Sequence, residues 1–216
     1  MTTYEACAKW RIAGGSARAQ VALFYNDYRD YLAGLLNPTV NGVQVNDTVL
    51  LNAGHAGTYG LDLDITARLG EHLDWSGSIE VLRSRFEQFL SPASGVNYVG
   101  NELPNAPRIS GSSSIRFNAP AGETGQVSLS GTIQYLGAQF SDVANSSALR
   151  LKAQTYVHVS AAFTTLSTRP WTVSLVIRNA FNRTQVILRQ IVPPLGVDAG
   201  AYNLPRSMVL SVRHDF

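Results

Sequence analysis

The stretch VSLSGTIQY, residues 127–135, decides the fold, because its side chains alternate in polarity along the whole stretch. Its odd-numbered positions are apolar, glycine or tyrosine, and its even-numbered positions are Ser, Thr or Gln. This period of two predicts a β-strand whose two faces meet different surroundings. A soluble sheet packs its apolar face on a core, whereas a membrane barrel turns that face to lipid and the other to water.

The composition favours strands that are apolar on one face only. Charged residues make up 15% of the 216 residues, against about 25% in a typical soluble protein, while the hydrophobic share of 45% is ordinary. The net charge of +2 and the lack of a Lys or Arg run argue against a nucleic-acid partner. No stretch approaches about 18 consecutive apolar residues, so a membrane protein with this sequence would have to be a barrel.

Alternating segments recur along the chain and predict nine strands. They span residues 4–12, 18–32, 52–69, 74–90, 107–117, 125–140, 155–166, 171–185 and 205–216. Helical spacing dominates none of them, so the predicted fold class is all-β. Several segments exceed the roughly 9–11 residues of a tilted membrane-spanning strand, whereas strands in globular proteins usually have about 5 or 6.

The connections between the segments alternate in length. Those after the first, third, fifth and seventh segments are short, and those after the second, fourth, sixth and eighth are long. Short periplasmic turns opposite long extracellular loops are typical of outer-membrane barrels. We therefore predict an antiparallel, up-and-down transmembrane β-barrel in which Leu129 and Ile133 face lipid and Ser130 and Gln134 face a water-filled lumen.

Aromatic residues gather at the ends of the segments. They are Phe24, Tyr25, Tyr28, Tyr31, Trp75, Trp171 and Phe216. Barrels carry such residues as girdles at both membrane interfaces, so we expect these side chains at the membrane boundary.

Six stretches carry a resemblance to a known family. They are YEACAKWRI, ALFYNDYRDYL, NAGHAGTYGLDLDI, GNELPNAPRIS, LVIRNAFNRTQ and LPRSMVLSVRHDF. In order and spacing they resemble the last strands of the barrel of TonB-dependent outer-membrane receptors. The resemblance implies that residues 1–216 form about nine strands of a larger barrel of about 22 strands, which in this family surrounds a plug domain. It also implies the outer membrane of a Gram-negative bacterium and the energised import of a scarce nutrient, most often a ferric siderophore.

The chain also departs from the complete family pattern. We expect the plug domain, the TonB-binding segment and the signal peptide to be absent from residues 1–216, which would be the C-terminal part of the barrel. Single-chain bacterial barrels have an even number of strands, so nine strands lead us to expect at least one more. Cys7 stands where the resemblance leads us to expect glycine.

No pattern predicts catalysis, a cofactor or a metal site. Asp62 and Asp64 lie two residues apart on one strand face, which predicts a solvated pair near Arg68 rather than two carboxyls converging on a bond. The four histidines and Cys7 show no ligand-like spacing, and no nucleophile elbow or phosphate-binding loop is present. We expect a transporter and not an enzyme.

The long loops hold the candidate ligand-contacting residues, which are polar or aromatic: His55, Tyr98, Asn101, Arg189 and Gln190. The alternative is that these residues only meet water or lipopolysaccharide. At the C-terminus, alternating Met208, Leu210, Val212 and Phe216 resemble the signal that the barrel-assembly machinery recognises, which suits capture by strand addition. The same residues would also form the closing strand.

The resemblance implies four partners. These are outer-membrane lipid, the TonB motor protein through parts outside residues 1–216, the barrel-assembly machinery, and a small ligand such as a ferric siderophore. Two alternatives remain open: a small complete outer-membrane barrel, either a porin or a barrel enzyme, and a soluble β-sandwich binding module.

Overall fold

A computed structural model describes residues 1–36, 38–40, 42–45, 48–92, 94–192 and 197–215. Across these residues, nine long strands form one antiparallel sheet. They are β1 (Thr2–Ile12), β2 (Ala17–Arg29), β3 (His55–Arg68), β4 (Leu73–Gln88), β5 (Ile109–Pro120), β6 (Gly125–Leu136), β7 (Gln154–Thr165), β8 (Trp171–Arg178) and β9 (Ser207–His214). Each pairs with the long strand before and after it in the chain, which confirms the up-and-down, all-β prediction.

Short turns join the strands at one end, and four long loops join them at the other. We name residues 30–54 loop 1, 89–108 loop 2, 137–153 loop 3 and 179–206 loop 4. The loops contain short antiparallel ribbons: Leu32–Leu36 with Thr48–Asn52, Thr39–Val40 with Val43–Gln44, Gln139–Phe140 with Arg150–Leu151, and Val186–Val192 with Val197–Tyr202.

The only helical elements in the described residues are two short 3-10 turns, Ala13–Gly15 and Ser147–Leu149. Within the same residues, no helix has the length and apolar character needed to cross a bilayer.

The strand register separates the two faces of the sheet. Directly opposed residues lie on the same face, and Leu129 of β6 lies between Phe117 of β5 and Ala161 of β7. Its neighbour Ser130 lies opposite Ser160 on the other face. Leu129 is 46% exposed because none of the residues that the structure describes covers the apolar face there. An uncovered apolar face is expected for a surface that meets lipid.

Cross-strand hydrogen bonds between hydroxyl groups line the polar face. The pairs are Ser78 with Ser112 (2.9 Å), Ser114 with Thr132 (3.0 Å), Ser130 with Ser160 (2.7 Å) and Thr164 with Thr172 (3.1 Å). Hydroxyl groups both donate and accept, so they can pair across strands and still bind water. The polar face therefore suits a water-filled lumen.

The described aromatic residues of this set divide among three locations. Tyr25, Trp75 and Trp171 lie on the apolar face, and Trp75 covers Gly77 and donates from Nε1 to Ser113 Oγ at 2.9 Å. The girdle prediction is wrong for the other described members of the set. Phe24 lies on the polar face against Gly60, while Tyr28 and Tyr31 pack in a cluster of the loops. Phe216 lies outside the described residues.

The hydrophobic core cluster of the described residues lies at the loop end of the sheet, among the loops and the strand ends that adjoin them. It consists of Ala33, Leu35, Ala53, Ala56, Phe86, Phe89, Leu103 and Val143, and Tyr28, Tyr31, Leu51, Tyr98 and Ala106 pack against it. Loops 1, 2 and 3 and the adjoining ends of β3 and β4 all contribute. Ala56 and Phe86 are direct partners on the polar face, so the core covers the lumen side of the sheet.

Candidate functional site

An aromatic chain ties loops 1 and 2 to the ends of β2 and β4. The ring centroids of Tyr28 and Tyr31 are 5.8 Å apart, those of Tyr31 and Phe86 5.9 Å, those of Phe86 and Phe89 5.0 Å, and those of Phe89 and Tyr98 5.1 Å. These tilted and edge-on contacts are favourable aromatic geometries. Burial raises the pKa of Tyr31, and the neighbouring Tyr28 raises it further, so the phenol is neutral at physiological pH.

Side-chain amides join loop 2 to loop 3. Asn101 donates from Nδ2 to the Val143 carbonyl at 2.8 Å. The side chain of Asn145 accepts a hydrogen bond from the Glu102 backbone N–H at 2.7 Å. It also donates one from Nδ2 to the Glu102 carbonyl at 2.9 Å, so a single amide satisfies both backbone groups of Glu102. Asn145 has a φ of 53°, a left-handed conformation that asparagine tolerates better than most residues.

Asp142 stabilises the turn at the tip of loop 3. Its carboxylate accepts from the Ser146 backbone N–H at 3.1 Å. Burial raises the pKa of Asp142, and the hydrogen bonds from the backbone N–H groups of Ser146, Asp142 and Ala144 oppose part of that increase. The turn therefore holds a partly desolvated carboxylate.

Further hydrogen bonds join loop 3 to loop 4. Gln154, at the start of β7, donates from Nε2 to the Val186 carbonyl at 2.9 Å, and Ser141 donates from Oγ to the Arg189 carbonyl at 3.3 Å. The four long loops are therefore linked in succession into one loop layer at a single end of the sheet.

A basic cleft of about 580 Å³ lies between loops 3 and 4. Arg150, Lys152, Arg189 and Tyr202 line it, and none of its described lining residues is acidic. The Arg150 guanidinium carbon lies 5.9 Å from the centre of the Phe140 ring, within cation–π range. A cleft of this size fits a small molecule, and its charges favour an anionic one.

The structure separates the five predicted ligand-contacting residues. Tyr98 packs on Phe89, and Asn101 donates a hydrogen bond to the Val143 carbonyl. Arg189 lines the basic cleft. Gln190 lies in the loop 4 ribbon opposite Ala199. Contact between any of these residues and a ligand stays a prediction.

His55 lies apart from the other four, on the apolar side of the sheet where β3 begins. Its Nε2 contacts Asp27 Oδ1, and its Nδ1 lies 3.3 Å from Glu87 Oε2. Asp27 lies opposite Gly57 in the register, on the same face as Leu23 and Leu61. His55 therefore belongs to the outer rim of the sheet and does not reach the basic cleft from there.

The cleft residues Arg150, Lys152 and Tyr202 were missed by sequence reasoning. Residues 150 and 202 are far apart in the chain, and they approach only because the ribbons of loops 3 and 4 lie side by side. Isolated basic residues in a loop are a weak signal, since most of them only meet solvent.

The predicted carboxylate pair lies in the wall on the polar face. Asp62 lies opposite Glu80, and Asp64 lies opposite Ser78. Within the described residues, no group of three or more His, Cys, Asp or Glu side chains is arranged to hold a metal ion.

The described members of the predicted assembly signal, Met208, Leu210 and Val212, alternate on the apolar face of β9, and all three are exposed. The fourth member, Phe216, lies outside the described residues. β9 is the last strand in the sheet order, next to β8. Recognition by the assembly machinery stays a prediction.

The family model of the TonB-dependent receptor-like β-barrel matches residues 1–180. The chain therefore belongs to this family, whose members are transport receptors of the outer membrane. No curated protein sequence matches the chain significantly.

Solved structures of receptors share the fold. The ferric preacinetobactin receptor of Acinetobacter baumannii is 20% identical, with a TM-score of 0.74 over 99% of this chain and 29% of its own. The ferric yersiniabactin uptake receptor of Yersinia pestis is also 20% identical, with a TM-score of 0.77 over 99% of this chain and 30% of its own. A siderophore receptor of Acinetobacter baumannii is 17% identical, with a TM-score of 0.72 over 97% and 28%. The chain thus spans less than a third of each receptor.

Proposed function

We propose that residues 1–216 form the C-terminal part of the barrel of an outer-membrane receptor for the energised uptake of a ferric siderophore. The plug and the TonB-binding segment would come from parts of the receptor outside these residues. Membership of the receptor family and the three siderophore receptors of the same fold support this proposal. The observation that carries it is the loop layer, in which a basic cleft opens beside loops held together by a buried core.

In this proposal the loop layer binds the ferric siderophore, and the polar face of the strand wall lines the path along which the siderophore passes. Arg150 and Lys152 would attract an anionic iron complex, and Tyr202 offers an aromatic face beside them. Tyr98 would act by packing on Phe89 within loop 2, and Asn101 by holding loop 2 against loop 3, so that the cleft keeps its shape. None of these groups needs to change the bonds of the ligand, which fits a receptor that transports its cargo unaltered.

Uptake by iron-starved cells tests the proposal. A strain that lacks the gene, complemented with the full-length receptor, should accumulate radioactive iron from at least one of a panel of ferric siderophores. The accumulation should stop when the proton-motive force is dissipated, while surface binding continues. Influx that is unaffected by dissipation would instead indicate a passive porin-like barrel and overturn the proposal.

A paired substitution tests the basic cleft. Arg150→Ala with Lys152→Ala should weaken siderophore binding about tenfold or more, because two charge-assisted contacts are lost. Arg169→Ala is the matched control, because Arg169 is exposed in the turn before β8 at the opposite end of the sheet. Equal binding by the double variant and the wild type would exclude the cleft as the ligand site.

A further inference from the structure

A group of charged residues lies on the outer, apolar side of the sheet, where β2, β3 and β4 meet the long loops. We name Asp27, Arg29, His55, Arg83, Arg85 and Glu87 the rim cluster. Arg83 lies opposite Tyr59, and Arg85 lies opposite Gly57, which places both arginines on the same face as Leu61. The rim cluster is therefore separate from the basic cleft and from the lumen.

Apart from Arg83, the members of the rim cluster are linked in a chain of contacts that passes through His55. Arg29 Nε lies 3.4 Å from Asp27 Oδ2, and Arg85 Nε lies 3.5 Å from Glu87 Oε1. The His55 ring lies between the two carboxylates. The two arginines are thus held at the ends of the chain, with the acids between them.

Exposure differs sharply between the basic and the acidic members. The side chains of Arg29 and Arg85 are 80% and 60% exposed, whereas those of Asp27 and Glu87 are 14% and 23% exposed. Arg83 is also exposed, and it makes no ion pair within the described residues. The rim cluster therefore presents guanidinium groups to its surroundings and keeps its carboxylates covered.

A row of tyrosines marks the level of these arginines relative to the bilayer. Tyr4, Tyr25 and Tyr59 are successive partners across β1, β2 and β3 on the apolar face, and the rings of Tyr4 and Tyr25 are 6.4 Å apart. Exposed tyrosines in such a row are typical of the boundary between hydrocarbon and head groups. Arg83 lies level with this row, and Arg29 and Arg85 lie beyond it, at the depth of lipid head groups.

The rim cluster is confined to one part of the wall. The apolar-face positions of β6 and β7 carry no charged residue from Gly125 to Tyr135 and from Thr155 to Thr165. A general need for solubility at the rim would not place three arginines beside β3 and none on these strands. The local grouping points to a local ligand.

We propose that the rim cluster binds the phosphate groups of an anionic lipid of the outer leaflet. Arginine is suited to this role because its planar donors match phosphate oxygens. Arg29 and Arg85 stand on strands separated by β3, and their partners on β3 are His55 and Gly57, two residues apart, so their backbones are about 12 Å apart. That separation fits a head group with two phosphates. This site is independent of the proposed uptake function.

Lipid binding to the full-length protein in zwitterionic detergent tests the inference. The probe is diphosphoryl lipid A, compared with its dephosphorylated form and with inorganic phosphate, and bound lipid is counted by native mass spectrometry. The triple variant Arg29→Gln, Arg83→Gln, Arg85→Gln should lose about 100-fold in affinity, since each arginine near an anionic surface contributes about fivefold. Surface ion pairs contribute little to stability, so the variant should fold.

Arg68→Gln is the matched control. Arg68 is 75% exposed and lies 3.8 Å from Asp74, but it is on the polar face at the turn end of β3. Unchanged binding by this control, together with loss in the triple variant and in dephosphorylated lipid A, would support the inference. It would be overturned if the triple variant bound like the wild type, if Arg68→Gln weakened binding equally, or if inorganic phosphate displaced the lipid at equal concentration.

Discussion

The strand wall and the loop layer handle their apolar side chains in opposite ways. In the wall, Leu129 remains 46% exposed within the chain, whereas in the loop layer Phe89 is fully buried. Among the described residues, the wall leaves its apolar face uncovered, and the loop layer packs its own core as a soluble protein does. The difference teaches that the end of the molecule that meets water carries the chain's internal packing, while the wall depends on its surroundings.

The largest effect should come from removing the centre of the loop core. Phe86→Ala should lower the free energy of unfolding of the loop layer by about 3–5 kcal/mol, because a large buried ring leaves a cavity. Urea titration in vesicles with limited proteolysis of loops 1 and 2 would measure the loss. Phe117→Ala on the apolar face of β5 is the control and should cost clearly less, because lipid can occupy the vacated space. Equal costs would remove the distinction between the two regions.

A charge placed in the wall should have the next largest effect. Leu129→Arg should destabilise the folded barrel by about 2–4 kcal/mol, since a charge on the lipid face is costly near the bilayer midplane. Gln134→Arg on the polar face of the same strand should be nearly neutral, because water can solvate the guanidinium. Folding yield in vesicles, read from heat-modifiable gel mobility, would compare them. If Gln134→Arg were the more damaging variant, the two faces would have been assigned the wrong way round.

The link between loops 2 and 3 should contribute less. Asn145→Ala removes the two hydrogen bonds to Glu102 and should cost about 2 kcal/mol of loop stability. Asn145→Gly loses the same bonds but adopts the left-handed backbone freely, so the difference between the variants isolates the strain. The rate of protease cleavage within loop 3 would measure the loss of loop stability in both variants. No increase in cutting for either variant would mean that the amide pairing does not hold the loops.

The smallest effect should be a pH dependence of loop 3. The pKa of Asp142 is raised in the fold, so the folded turn binds its proton more tightly than the unfolded chain does. Proton binding by Asp142 therefore stabilises the folded loop. This stabilisation is fully present below the pKa of the unfolded chain and is lost as the pH rises through the higher pKa of the folded loop. Amide hydrogen exchange at Ala144 and Ser146, once corrected for the intrinsic pH dependence of exchange, should therefore speed up as the pH rises through that value. Asp142→Asn should abolish the dependence, and a persistent dependence in this variant would assign it to another group.

The wall could be predicted closely from sequence because its signal is local. Alternation in VSLSGTIQY identifies β6 and both of its faces, and the same reasoning locates all nine strands to within a few residues at most ends. Strand pairing also follows, since short turns force sequence neighbours together. Because successive side chains point to opposite faces of the sheet, two different surroundings impose the pattern residue by residue, which leaves a visible period of two.

The loop layer could not be predicted in the same way, because its contacts are not local. Tyr28 and Tyr31 are aromatic residues near a strand end, which is typical of an interfacial girdle. Their location is instead set by contact with Phe86, more than 50 residues later in the chain. His55 was expected at a ligand site, yet Asp27 and Glu87 hold it on the outer rim. The basic cleft combines loops 3 and 4, which no spacing in the sequence connects.

The uninterrupted neighbour-to-neighbour order of the nine strands has a consequence for folding kinetics. Every pairing in the wall closes a hairpin, so the sheet can grow one strand at a time without a search for a distant partner. The loop core, by contrast, needs loops 1, 2 and 3 together, and it can close only after β2 to β7 are in place. The wall should therefore form progressively, and closure of the loop layer should be the late, cooperative event that makes the loop end of the sheet resistant to proteases.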